Sequence, residues 1–229
     1  MRTDAFSHVT TWVFDLDRTL YPPAADLFGL MNPRIISWIT DTLNVTEAEA
    51  GRLRVQYWQQ YGTTLSGLMR EHGLDPAAYL THIHDIPLDR LAPDPALAAH
   101  IRALPGRRIV FTNACAAYAE RVLAARGLSG LFDATYGVEH AGFKPKPERG
   151  AYDAIIAQDG LSPTSAAMFE DDERNLIEPH SMGMATVHVA PERGAGPHIH
   201  HHTDDLTGFL SQVIDGTLCA AQRTSDIPS

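Results

Sequence analysis

The fold class this 229-residue sequence predicts is α/β: a parallel sheet with an all-helical insert after its first strand. Three observations predict it. Short β-branched and aromatic runs alternate with stretches of helical period from residue 96 onward, the pattern of βαβ units. Residues 24–90 show helical period only. Four polar clusters each lie at or just beyond the end of an apolar run, where a parallel sheet gathers its ligands.

The first run, Val9 to Phe14, stops at Asp15 and reads as a buried strand. Leu27, Leu30, Met31, Ile35, Trp38 and Ile39 then recur at helical spacing, predicting a helix to about Leu43. Thr46 and Glu49 have the spacing of a capping box for a helix that ends near Tyr61-Gly62. Two more helical stretches cover Thr64 to His72 and Pro76 to His84. After Pro93-Asp94-Pro95 come a helix to Leu104, a strand over Arg108 to Phe111, and a helix from Ala116 stopping at Gly127. Strands follow at Ala134 to Val138, Ala166 to Phe169 and Ala185 to Val189, with helices at Glu148 to Gln158 and Arg174 to Met182 between them. The expected division is a sheet domain of residues 1–22 and 92–216, a helical cap of 23–91 and a C-terminal tail of 217–229.

Composition sets bounds on function. A formal charge of −10 argues against a nucleic-acid polymer, whose phosphates call for a basic surface. A small phosphorylated substrate needs only local positive charge. Cys115 and Cys219 are too few and too far apart for a disulfide framework, and no run approaches membrane-spanning length. A cytoplasmic protein, monomer or homodimer, is expected.

Asp15 and Asp17 lie two apart at a strand end, so their side chains leave on the same side. Two such carboxylates repel unless a cation or a shared proton intervenes. With a metal present, Asp15 can attack phosphorus and Asp17 can act as general acid, then base; alone, the pair also fits a turn or helix cap. Thr112 and Asn113 end the next strand and can hold phosphate oxygens, or cap the helix at Ala116. Lys144, between Gly142-Phe143 and Pro145, is the lysine expected to neutralise phosphate and Asp15; Lys146 reads as solvated. Asp171 is the first metal ligand beside Asp15, and hard oxygen donors suit Mg²⁺. Glu170 and Asp172 cannot both join it, and one of them is left to order a water or the lysine. Asn175 fits either a bond into this loop or a surface helix. His198, His200, His201 and His202 fit a transition-metal cluster or, more simply, a strand or loop before the next helix. The aromatics Trp38, Tyr57, Trp58 and Tyr61 can stack a nucleobase, although at helical spacing such residues are more often core.

Phe14-Asp15-Leu16-Asp17-Arg18-Thr19-Leu20-Tyr21, Thr112-Asn113-Ala114, Lys144-Pro145 and Glu170-Asp171-Asp172 resemble the four motifs of the haloacid dehalogenase superfamily over nearly the whole chain. The resemblance implies a Rossmann-like core, a C1-type helical cap and a Mg²⁺-dependent aspartyl-phosphate mechanism. It also implies that Asp15, Asp171 and the main-chain carbonyl of Asp17 hold the ion. Dehalogenases of that superfamily lack the second aspartate, so Asp17 points to phosphate chemistry. The Leu20-Tyr21-Pro22 continuation, Phe111-Thr112-Asn113-Ala114 and the cap segments Tyr57 to Gly62, Gly67-Leu68 and Ile86-Pro87-Leu88 are similar to the pyrimidine 5'-nucleotidase-like subfamily. That similarity implies a nucleoside monophosphate as substrate, with a sugar phosphate, phosphoglycolate or a phosphomutase reaction as alternatives. Arg18 stands where many relatives carry glycine, asparagine or aspartate, and adds either a contact near the phosphate or a charge in solvent.

Overall fold

The computed structural model describes residues 5–218; Cys219 and the rest of the expected tail lie outside them. Six strands form one parallel sheet: β1 (Thr11–Phe14), β2 (Arg107–Phe111), β3 (Ala134–Tyr136), β4 (Ala166–Glu170), β5 (Ala185–Val189) and β6 (His201–Thr203). Their order is β3-β2-β1-β4-β5-β6, with every neighbouring pair parallel. The order reverses at β1, so the ends of β1, β2 and β4 share one crevice. Register makes this tight: Phe14 pairs with Val110 and with Phe169, which puts Asp15, Thr112 and Glu170 within a residue or two of one level.

The central strands are apolar on both faces because helices cover both. Phe14 and Phe169 stack at 4.7 Å between ring centroids, and Trp12 anchors its indole N–H on the Pro105 carbonyl at 2.7 Å. Truncating one of these fully buried rings to alanine typically costs about 3–5 kcal/mol.

Four helices fill the interval between β1 and β2: α1 (Leu27–Leu43), α2 (Glu47–Tyr61), α3 (Thr64–His72) and α4 (Pro76–His84). The first helix starts at Leu27, the first residue at helical spacing. Residues Pro23–Ala25 form a 3-10 turn, and Asp26 then caps α1 by accepting from Gly29 N–H at 3.1 Å. Thr46 caps α2 through Glu49 N–H at 3.2 Å, while the Glu49 carboxylate pairs with Arg52. Helices α2 and α3 approach closely because position 67 is glycine: a Cβ there would meet the Tyr57 ring at 2.2 Å. That contact helps set the roll of α2 and so which of its residues face away from α3.

The chain leaves the sheet after Leu20 and returns near Ala92. One guanidinium holds both crossings. Arg126, only 7% exposed, donates to the carbonyls of Leu20 and Ala92 and pairs with Asp94 at 2.8 Å.

Helices α5 (Pro95–Ala103), α6 (Ala116–Ala125), α7 (Arg149–Asp159), α8 (Ile177–Ser181) and α9 (Leu206–Ile214) complete the layers. Two expectations are corrected. The strand expected to Val138 ends at Tyr136, and Val138–Ala141 form a 3-10 turn that aims the following loop at the crevice. The helix expected over residues 174–182 is a 3-10 turn, Glu173–Leu176, followed by short α8, since Pro179 limits the helical hydrogen bonds available.

Candidate active site

The end of β1 delivers Asp15 into the crevice, 5% exposed. Thr19 Oγ1 donates to Asp15 Oδ2 at 3.1 Å, and a lysine donates to Oδ1 at 2.7 Å. That lysine is Lys146, which corrects the expectation for Lys144. Lys146 is 1% exposed, and its Nζ spends three donors on three acceptors: Asp15, Glu170 Oε2 at 2.6 Å and the Phe111 carbonyl at 2.9 Å. Lys144 is exposed, with its side chain lying over Gly150 at the start of α7. The physical reason is the turn. Gly142 and Phe143 both adopt positive φ, +63° and +61°, which swings Lys144 outward and brings Lys146 in two residues later. The Asn113 amide fixes that choice, accepting from Lys146 N–H at 2.7 Å and donating to its carbonyl at 3.0 Å. Asn113, expected to bind substrate, thus has its side chain engaged in holding the lysine loop.

Glu170 is saturated as well. Besides Lys146 it accepts from Asp172 N–H at 3.3 Å. Asp172 turns away and binds Arg174 through both carboxylate oxygens. This assigns the two residues whose roles the sequence left open: Glu170 faces inward on the lysine, and Asp172 forms a partly exposed ion pair. Asn175 is buried rather than on the surface; its N–H donates to the Asp172 carbonyl and its own carbonyl accepts from Tyr152 Oη at 2.7 Å. Asp171 remains, lining the cavity, and its backbone is braced by a residue sequence reasoning missed. His188 Nε2 donates to the Asp171 carbonyl at 2.9 Å while His188 Nδ1 accepts from Gly194 N–H, which requires the neutral imidazole.

Charge is unbalanced here. Burial, then Glu170, raises the Asp15 carboxyl to about 7. Burial, then Glu170 and Asp15, raises Asp171 to about 9. Burial opposes the Lys146 charge, but Asp15 and Glu170 together hold its pKa above the usual value. Oxygens of Asp15, Glu170 and Asp171 lie within 4.8 Å of one another, the one such grouping of three or more metal-ligating side chains among the described residues. Three carboxylates around one ammonium suit a hard divalent cation.

Asp17 does not join them through its side chain. Its Oδ1 accepts from Tyr21 Oη at 2.6 Å and from Tyr118 Oη at 3.3 Å, and burial, then the Asp15 charge, raises its pKa to about 6. Tyr118 also stacks on His84, with 4.4 Å between ring centroids. Neither tyrosine was singled out for this role. The signal available was Tyr21 one helical turn beyond Asp17. Thr112 is buried, with Oγ1 accepting from Ala114 N–H at 3.0 Å, so it shapes the phosphate-sized turn at the end of β2. Arg18 has φ +61°, a backbone region that suits glycine, asparagine and aspartate, and its guanidinium lies 4.7 Å from the Phe28 ring centroid.

Above this floor lies a cavity of about 540 Å³, walled by helices α1, α2 and α4. Of the four aromatics considered for stacking, Trp58 lines it; Tyr57 packs inward on His72, Tyr61 bonds Glu71, and Trp38 packs edge-on against Tyr79. The histidine cluster stays apart from the cavity. His201 packs between Phe6 and Phe209, His200 bonds Thr186, and His202 donates to the Ala190 carbonyl.

Comparison with known proteins agrees with this architecture. The chain is 32% identical over 191 residues to Phosphate metabolism protein 8 of Saccharomyces cerevisiae, an alignment covering 76% of this chain and 59% of that longer protein. A HAD phosphatase from Thermococcus onnurineus superposes with a TM-score of 0.62 at 17% identity, covering 93% of this chain and all of the other. The L-2-haloacid dehalogenase from Xanthobacter autotrophicus superposes with a TM-score of 0.57 at 16% identity, covering 90% of this chain and 98% of the other. At such identities these two structures share the fold alone. Residues 9–180 match the haloacid dehalogenase-like hydrolase family, and the chain belongs to it.

Proposed function

We propose that this hydrolase is a Mg²⁺-dependent phosphomonoesterase that works through an aspartyl phosphate on Asp15, with pyrimidine nucleoside 5'-monophosphates as its substrates. In this reading residues 23–91 act as a cap over a domain of residues 1–22 and 92–216, and the enzyme works in the cytoplasm. No helix among the described residues is long and apolar enough to cross a membrane.

One observation carries the choice of phosphate over halide chemistry within this family: the second carboxylate, Asp17, stands half-buried two residues beyond the proposed nucleophile and is held by two hydroxyls. A departing halide needs no proton, whereas a departing alkoxide does. Asp15 attacks phosphorus in line with the ester oxygen. Asp17 gives its proton to that oxygen as the bond breaks, then takes one from the water that cleaves the aspartyl phosphate. Lys146 offsets charge on Asp15 throughout, and Thr112 with the following backbone N–H groups receives phosphate oxygens. Asp15, Asp171 and the Asp17 carbonyl would hold Mg²⁺, which would supply neutralisation of phosphoryl charge.

The relative's description as a phosphate metabolism protein supports the reaction class. The test is phosphate release from UMP, CMP, purine monophosphates, sugar phosphates and phosphoglycolate with Mg²⁺, with and without EDTA. EDTA-sensitive release led by UMP or CMP is expected. Release led by another ester would replace the substrate and keep the mechanism; isomerised product outrunning free phosphate would indicate a mutase.

A further inference from the structure

The wall of the cavity opposite the carboxylates carries a feature that the reaction chemistry does not use. Arg54, on α2, lines the cavity, and no carboxylate lies within 4 Å of its guanidinium among the described residues. Its side chain has one hydrogen bond, from Nη1 to Asn32 Oδ1 at 3.3 Å, and its Nε is buried without a partner. An arginine can only donate, so the Asn32 amide must present its oxygen to Arg54 and its NH₂ elsewhere. Asn32 lines the same cavity. The pair therefore offers mainly donors: the unspent Arg54 N–H groups and the Asn32 NH₂, beside one remaining lone pair on Asn32 Oδ1.

The surroundings are apolar and open. Of five large hydrophobic residues exposed on the molecule's described surface, three line this cavity: Phe28, Val55 and Trp58, at 36%, 41% and 47%. Exposed aromatic and aliphatic faces beside unspent donors fit a flat ligand with an acceptor edge.

We propose that Arg54 and Asn32 recognise the leaving group of the substrate, accepting a planar ring whose edge carries carbonyl oxygens, such as the 2-carbonyl common to the pyrimidine bases. This rests on the phosphomonoesterase reading and gives it a specificity-determining pair. A purely apolar leaving group would bury the Arg54 donors unpaired, and a ring with only donors on that edge would oppose them. Selection then follows from the penalty of leaving a buried charged donor unsatisfied.

The experiment compares kcat/KM for UMP and for ribose 5-phosphate, which share the phosphate and the sugar and differ in the base. In the wild type UMP is favoured. Arg54→Met, which keeps the aliphatic stem, is expected to reduce the UMP-over-ribose-5-phosphate ratio roughly 10- to 100-fold, mostly through KM. Arg54→Lys keeps a charge without the planar fork and is expected to lose part of the same ratio, which keeps the test usable if Arg54→Met does not fold. Equal losses on both esters would place Arg54 on the phosphate and overturn the inference, as would a wild-type ratio in both variants. Absence of phosphate release from either ester by the wild type would instead overturn the phosphomonoesterase reading, and the leaving group with it.

Discussion

The floor and the wall of the cavity are built on opposite principles. On the floor every donor of Lys146 is spent: three acceptors for three N–H groups, both Glu170 oxygens engaged, and the loop itself clamped by Asn113. On the wall, Arg54 Nε has no partner and Trp58 is half exposed. The floor needs no ligand to complete its hydrogen bonds, only a cation to balance its charge. The wall leaves hydrogen bonds unmade. On the proposed function, the preorganised floor carries the chemistry and the incomplete wall decides which ester is held there.

The contrast breaks first at Asp15, the proposed nucleophile. Asp15→Asn is expected to reduce phosphate release by more than about 1,000-fold with the far-ultraviolet circular dichroism retained, because the amide neither attacks phosphorus nor balances Lys146. Substantial residual turnover would remove Asp15 from its role.

The two lysines give the next test. Lys146→Ala is expected to lower kcat on the order of 10²–10³-fold and to cost about 3–5 kcal/mol in denaturant unfolding, since Asp15 and Glu170 are left buried without their counter-charge. Lys144→Ala, on an exposed side chain, should stay within about 0.5 kcal/mol of the wild type. The reverse ranking would restore the expectation drawn from sequence.

The charge imbalance on the floor predicts a pH dependence in EDTA. Asp15 and Asp171 bind protons more tightly folded than unfolded, with pKa raised from 3.8 to about 7 and about 9. Their contribution to stability is therefore complete below pH 4 and is lost as pH rises toward 9. Buried His84 and His201, lowered to about 3 and about 4 chiefly by burial, act in the opposite direction but only below their unfolded value of 6.5. Between pH 6.5 and 9 the carboxylates act alone, so the melting temperature should fall across that window, and added Mg²⁺ should flatten the slope. A flat profile in EDTA would mean that the three carboxylates do not crowd one another.

On the wall, Trp58→Ala should change stability by less than about 1 kcal/mol, because the ring is half exposed and its main partner is the Arg174 guanidinium 4.8 Å away. It should raise KM for UMP several-fold with kcat little changed, as measured by steady-state kinetics. A loss confined to kcat would move Trp58 from the wall to the floor.

The sheet was legible in the sequence because its strands are short, apolar on both faces and separated by helical periods; β5 begins and ends where the pattern says. The helices of the insert were legible for the same reason, and Thr46 announced its cap. The lysine that reaches Asp15 was not. Lys144 and Lys146 each precede a proline in one loop, and only the positive φ of Gly142 and Phe143 decides which turns inward. Phe143 gives no residue-type warning of that conformation. The wall was not legible either. Arg54 and Trp58 sit four apart on α2, but which face of that helix turns away from α3 depends in part on the Tyr57 contact with Gly67, a tertiary fact.

Arg126 has a consequence for how this architecture tolerates change. By gripping the carbonyls of Leu20 and Ala92, it fixes the separation of the two points where the insert leaves and rejoins the sheet. Everything threaded between those points hangs from a common anchor, like a bag closed by one drawstring. The seventy-odd residues between them also touch the sheet side through His84 on Tyr118 and Trp58 on Arg174, so Arg126 sets the spacing of the two crossings while those contacts set the tilt. On the proposed function, that joint keeps the mouth of the insert at one width over the reacting floor.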